Sequence, residues 1–170
     1  VCRETGLAVV RRVRLEDNGT VRLEEAFLNT TGRPLLKGIW NVTQIVRPFD
    51  VYLPADPSAI RSYYLEDPAL PDPGQVVEPQ GDWSRIRCRS SVCFKFGGIP
   101  RAGRVFVARP SGDGSLAFAR EFELSAGGQY AHRSAVEVFN SPRFPYGELE
   151  LHAPLRPIPP GGTERFRQSW

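Results

Sequence analysis

The sequence predicts an all-β sandwich or barrel. Three observations carry that reading. Apolar and polar residues alternate with a period of two over most of the chain, turn residues punctuate it at short intervals, and no stretch holds a 3.6-residue period for a dozen positions. Successive side chains of a strand point to opposite faces, so alternation marks segments with one buried and one wet face.

Taken in order, Leu7, Val9, Val13 and Leu15 alternate with Ala8, Arg12 and Arg14, and Asn18-Gly19 follows as a tight turn because both residues tolerate positive φ. Val21, Leu23 and Phe27 resume the pattern, Asn29 to Pro34 turns the chain, and residues 35–46 read as one strand carrying Ile39, Trp40, Val42 and Ile45. Residues 48–82 differ: they hold seven of the 16 prolines. Proline lacks an N–H, so a long helix is excluded here and central strands are not expected. The segment is expected to be a long excursion with short edge strands, a lid or rim. Alternation returns over 83–96, with Arg85, Arg87 and Arg89 on one side, Ile86 and Cys88 on the other, and Phe94 and Phe96 flanking Lys95. Further strands are expected at 104–108, 116–124, 135–139 and 147–151, followed by a Pro/Gly-rich crossing over 154–162 and a closing segment to Trp170.

A chain of 170 residues suffices for one domain with a real core, taken as 1–170. Its 41% hydrophobic and 24% charged residues are ordinary for a globular protein. The net charge is +3, and the 20 Arg and 2 Lys are interspersed with 19 acids. Nucleic-acid binding needs positive charge gathered on one stripe, so no nucleic-acid partner is expected. No apolar run approaches the ~20 residues that span a bilayer, and no membrane partner is expected. The chain opens on Val1 and holds no Met, which suggests a piece of a longer protein or a processed chain.

The three cysteines, Cys2, Cys88 and Cys93, are odd in number and form no C-x-x-C pair, and only His132 and His152 could join them. No metal-ligand spacing emerges, and no metal or cofactor is expected. Cys88 and Cys93 either stay as two thiols or meet across a hairpin. Gly-rich phosphate loops, nucleophile elbows and His-Glu-x-x-His patterns are all missing from the sequence.

The chemistry concentrates in Glu148-Leu149-Glu150-Leu151-His152. As a strand, this segment sends Leu149 and Leu151 to the core and Glu148, Glu150 and His152 to the opposite face. Two carboxylates and an imidazole on one face form a ridge suited to sugar hydroxyls. Neighbouring carboxylates in a partly dry cleft raise one another's pKa toward values useful for proton transfer. The alternative is a solvated face whose charges serve solubility. Trp40 and Trp83 can stack on a pyranose or fill the core. Lys95 either snorkels or pairs with a carboxylate on the cleft face. Arg87, with Arg85 and Arg89, can bind an anionic sugar or pair with nearby acids.

Several segments, in order, resemble the galactose mutarotase-like superfamily, particularly its aldose-epimerase-like branches. They are Leu7 to Leu15 with Phe27-Leu28-Asn29-Thr30-Thr31-Gly32-Arg33-Pro34, then Gly38 to Ile45, then Phe94-Lys95-Phe96-Gly97-Gly98. The most specific run is Val136-Glu137-Val138-Phe139-Asn140, then Tyr146 to Leu155, then Ile158 to Thr163 and Trp170. The resemblance implies a galactose mutarotase-like antiparallel β-sandwich, here its C-terminal portion with earlier strands lacking and sheet edges left unpaired. It implies a carbohydrate ligand. It also implies that Glu150 matches the family's general base, which takes the anomeric hydroxyl proton while a His protonates the ring oxygen. The family's usual His is replaced here by Ile39-Trp40-Asn41-Val42, which leaves His132 and His152 as substitutes. The expectations are therefore a carbohydrate-binding domain with Glu150 and His152 as catalytic candidates and Glu148, Lys95, Trp40 and Arg87 as binding candidates. The alternatives are an aldose 1-epimerase-like isomerase using Glu150 as base, or a non-catalytic accessory β-domain of a larger carbohydrate-active enzyme.

Overall fold

The computed structural model describes residues 1–63 and 73–170. Fifteen strands run through them: β1 (Leu7–Leu15), β2 (Val21–Asn29), β3 (Leu35–Lys37), β4 (Trp40–Val46), β5 (Phe49–Leu53), β6 (Arg61–Ser62), β7 (Val77–Gln80), β8 (Trp83–Cys88), β9 (Phe94–Gly98), β10 (Arg104–Ser111), β11 (Gly114–Phe122), β12 (Val136–Asn140), β13 (Tyr146–His152), β14 (Arg156–Ile158) and β15 (Thr163–Ser169). The α-helix among the described residues is a single turn, Pro73–Val76.

Two antiparallel sheets carry the fold. The larger has the order β1-β2-β15-β11-β10-β5-β8-β7, the smaller β4-β13-β12-β9-β6, and β14 pairs with β3 beside them. The inner faces meet in one apolar cluster. Phe49, Val51, Ile86, Val105, Val107, Phe122 and Phe166 come from the large sheet, and Phe94, Phe96, Val136, Val138, Leu149 and Leu151 from the small one. Face-to-face packing of two apolar sheet faces is what a period-two pattern demands. At one end β1 is the edge of the large sheet, and it leaves Val9, Val13 and Leu15 exposed.

The predicted elements are corrected in three places. Residues 35–46 are two strands in different sheets, because the chain bends at Gly38. A side chain there would stand 2.7 Å from the Ala153 carbonyl oxygen, and Ala153 N donates to the Ile39 carbonyl at 2.8 Å. The alternation over 83–96 also divides between sheets. Asn140 Nδ2 donates to the Arg89 carbonyl at 2.8 Å and to that of Val92, and so holds the crossing between β8 and β9. The third correction concerns β5, which is a central strand inside the proline-rich excursion, hydrogen-bonded to β10 and β8. Pro48 and Pro54 flank it rather than interrupt it, so its five residues keep their ladder donors and bury Phe49, Val51 and Leu53 completely. The short strands β6 and β7 do lie at sheet edges. The rest of that excursion, 64–72, lies outside the described residues.

Candidate functional site

The site stands on the outer face of the small sheet, and register explains how it forms. Directly opposed residues of an antiparallel pair share a face. On β13, Leu149 and Leu151 are fully buried in the core, so Glu148, Glu150 and His152 take the other face. The pairing then places Trp40 opposite His152, Gln44 opposite Glu148, and Glu137 opposite Glu150. One strand further, Lys95 lies opposite Phe139, and Gly97 lies opposite Glu137. Gly97 leaves the room the site uses: a Cβ there would come within 2.9 Å of both the Glu137 side chain and Ser134 Oγ.

Glu137 and Glu150 are buried, and Lys95, with a side chain only 12% exposed, ties them together. Its Nζ lies 2.9 Å from Glu150 Oε2, to which it donates, and 2.9 Å from Glu137 Oε2. Trp40 Nε1 also donates to Glu150 Oε2, at 2.8 Å. The Trp40 ring, 55% exposed as a residue, stacks within 8° of parallel on His152 and has the Lys95 ammonium 5.4 Å from its centroid. His152 Nε2 lies 3.3 Å from Glu137 Oε2, and His132 Nδ1 lies 2.9 Å from Glu137 Oε1.

Opposing environments separate the two carboxyls. Burial raises Glu150, and the Glu137 charge adds to the rise, against the lowering pull of Lys95 and Trp40; the upward direction wins. Burial would raise Glu137 as well, but His152 and Lys95 outweigh it and hold this carboxyl down at about 2. The Lys95 ammonium loses solvation on burial, yet its two carboxylate partners still hold its pKa above the ordinary value. Glu137 is thus a fixed anion, and Glu150 is the carboxyl poised to exchange a proton. A pair of acids pushed apart in this way divides the roles of counter-charge and proton carrier.

The structure gathers four of the expected residues, Trp40, Lys95, Glu150 and His152. Glu148 shares their face but sits at the far end of the ridge, where Gln44 Nε2 donates to it at 3.2 Å. Arg87 is not part of the cluster. It lies on β8 of the other sheet and pairs with Glu78, while Arg85 and Arg89 pair with Asp50 at 2.5 and 2.7 Å. Each arginine of the stripe is therefore paired with an acid on an adjacent strand. Trp83 packs against Phe106, with ring centroids 5.3 Å apart. The three cysteines are free thiols, and burial drives the Cys88 pKa upward.

Glu137 was not among the expected site residues, and His132 was named only as a substitute imidazole. The signal for Glu137 was present: it is the acid between two core valines, Val136 and Val138, so alternation alone puts it on the outer face. His132 carried no periodic signal. It lies in a 3₁₀ turn (Ala131–Arg133) with φ 54° and ψ 13°, and it reaches the site through loop geometry alone. Tyr63 holds that turn, since its hydroxyl donates to the His132 carbonyl at 2.8 Å and also contacts Ser134 Oγ.

No family model matches the chain, and no curated protein matches its sequence. Solved structures do match. The protein Slr1438 of Synechocystis sp. PCC 6803 aligns with a TM-score of 0.59 at 12% identity, over 96% of this chain and 53% of that one. A Klebsiella pneumoniae protein described as a candidate aldose 1-epimerase aligns with a TM-score of 0.58 at 10% identity, over 99% of this chain and 47% of that one. The fold is the galactose mutarotase-like antiparallel β-sandwich, and the chain spans about half the length of these two structures. At such identity the likeness concerns the fold alone.

Proposed function

We propose that the outer face of the small sheet binds a carbohydrate, with Trp40 as the stacking platform and Glu150 and Lys95 as the groups that receive hydroxyls. The observation that carries this reading is the exposed Trp40 ring set beside two buried carboxylates and an ammonium. An apolar face for a sugar's C–H groups next to charge-assisted partners for its hydroxyls is the combination a pyranose needs. Arg87 has no place in it. The test is a titration of the full chain with neutral and acidic mono- and oligosaccharides, followed by tryptophan fluorescence and by NMR shifts of the Trp40 indole N–H. A saturable shift of that signal supports the reading. No response to any sugar overturns it.

A second reading, aldose 1-epimerase chemistry, is favoured by the raised pKa of Glu150. In that reaction Glu150 takes the anomeric hydroxyl proton, the ring oxygen receives a proton from an imidazole, the ring opens, C1–C2 rotates, and the proton transfers reverse on reclosure. His132 and His152 are the imidazoles of the cluster. Exchange between anomers by NMR measures this, and an unchanged rate in Glu150→Gln would remove Glu150 from the mechanism. Sugar binding without exchange would leave a binding module, which also suits an accessory domain.

A further inference from the structure

We propose that His132, Glu137 and His152 form a binding site for one divalent first-row transition-metal ion of the zinc class. Nδ1 of His132, a Glu137 carboxylate oxygen and Nε2 of His152 all lie within 4.8 Å of one another. Ligands around a tetrahedral zinc stand ~3.4 Å apart when each bond is ~2.1 Å. The two measured separations, 2.9 Å from His132 Nδ1 to Glu137 Oε1 and 3.3 Å from His152 Nε2 to Glu137 Oε2, both fall short of that spacing, the second only slightly. The remaining adjustment falls on His132, whose side chain is 55% exposed and free to swing a few tenths of an ångström.

A second, independent observation points to a missing ligand. Glu137 Oε2 and His152 Nε2 are both buried without an aligned hydrogen-bond partner. Lys95 stands at ion-pair distance from that carboxylate oxygen, but its aligned hydrogen bond goes to Glu150. Buried polar atoms are nearly always satisfied, and these two face each other at 3.3 Å without an aligned hydrogen bond, so each keeps a lone pair that a bridging ion could use. An ion between them would use the lone pairs of both.

The surroundings suit a metal centre. His132 and Arg133 are both non-glycine residues in the left-handed region, at φ 54° and 59°. Such backbone persists where the surrounding structure enforces it, and here Tyr63 pins the turn so that the imidazole points inward. His152 is oriented by the parallel Trp40 ring. Two imidazole nitrogens and one carboxylate select zinc and its neighbours over calcium or magnesium, which prefer all-oxygen shells. Glu137 and Glu150 carry two negative charges against one on Lys95, so a dication enters a site of net negative charge. The spacing 132, 137, 152 matches no sequence pattern, because a turn and two paired strands bring the ligands together.

This inference stands apart from the sugar reading, and the two fail separately. A metal on these nitrogens takes the lone pairs that imidazole acid catalysis needs, so zinc should suppress any anomer exchange that uses them. The experiment is isothermal titration of the metal-free full chain with Zn²⁺, repeated with Co²⁺ for its visible absorption. It uses the Cys2→Ser variant, so that the exposed thiol cannot serve as ligand. The expected result is one ion per chain, with affinity falling by at least about tenfold in His132→Gln, an exposed position whose variant is checked for folding by circular dichroism. No binding, or equal affinity in His132→Gln, overturns the site. Sugar binding without metal binding overturns this inference alone, and metal binding without any sugar response overturns the sugar reading alone.

Discussion

Glu137 and Glu150 stand directly opposite each other on adjacent strands, and a single ammonium, that of Lys95, lies 2.9 Å from a carboxylate oxygen of each. Two like charges this close on a sheet face repel unless something separates their protonation states or neutralises them. Here both happen. Lys95 neutralises one charge, and the imidazole of His152 leans toward Glu137 rather than Glu150. The asymmetry distinguishes a fixed anion from a proton carrier, although both residues are glutamates on the same face.

Removing Lys95 tests that arrangement. Lys95→Met leaves two buried carboxylates without a cation, and the expected loss is about 3–5 kcal/mol at neutral pH. Urea denaturation should show the loss shrinking in mild acid, where one carboxyl takes up a proton. A pH-independent loss would mean that the lysine acts through packing alone.

Glu137 contributes to the acid limb of stability. Its carboxyl is held at about 2 in the fold, against an ordinary 4.5. The unfolded chain therefore binds this proton first as pH falls. The stabilisation is fully present above 4.5 and is lost as pH drops through about 2. Glu150 works with the opposite sign in the window above 4.5: its raised pKa makes the fold gain stability as pH falls toward that value. Denaturation midpoints across this range should lose part of their acid slope in Glu137→Gln, the remainder coming from other lowered carboxyls such as Glu24 and Asp56. In Glu150→Gln they should lose the gain on mild acidification.

Trp40→Phe keeps a ring but removes the indole donor to Glu150. Because that hydrogen bond lowers the Glu150 pKa, the carboxyl should titrate still higher in the variant, as followed by carboxyl carbon NMR. The side chain is largely exposed, so stability should change by no more than about 1 kcal/mol.

On β11, Arg120 is fully buried. It donates to Asn41 Oδ1 at 3.0 Å and to Thr43 and Gln168, with its guanidinium 4.4 Å from the Trp170 ring centroid. Desolvation lowers its pKa to about 10. Arg120→Leu strands these acceptors and leaves Glu25 with less cationic support. The expected cost is about 3–5 kcal/mol in chemical denaturation.

Glycine at 147 lets the two sheets close. A Cβ there would stand 2.8 Å from the tip of Phe49 and 2.9 Å from the Phe139 carbonyl oxygen. Gly147→Ala should destabilise the chain by about 1–3 kcal/mol, because the ring must leave its place in a close-packed core. Phe49→Ala relieves that clash. The double variant should therefore lose less than the sum of the two single losses.

Local alternation determined much of this protein. It placed Leu149 and Leu151 inward and Glu148, Glu150 and His152 outward, because a pleated strand has no other choice once one face must be dry. It marked most strands and the all-β class. It did not reveal where strands change sheets, since Gly38 and the Arg89 turn are set by contacts with Ala153 and Asn140, more than fifty residues away. It also misjudged the proline-flanked β5, whose central place depends on partners on both sides. The site followed the same division. The register of β12 against β13 set Glu137 facing Glu150, and a left-handed turn brought His132 to them. Periodicity assigns a side chain to a face. Long-range pairing alone decides which neighbours share it, and with them the charge and proton affinity each group will have.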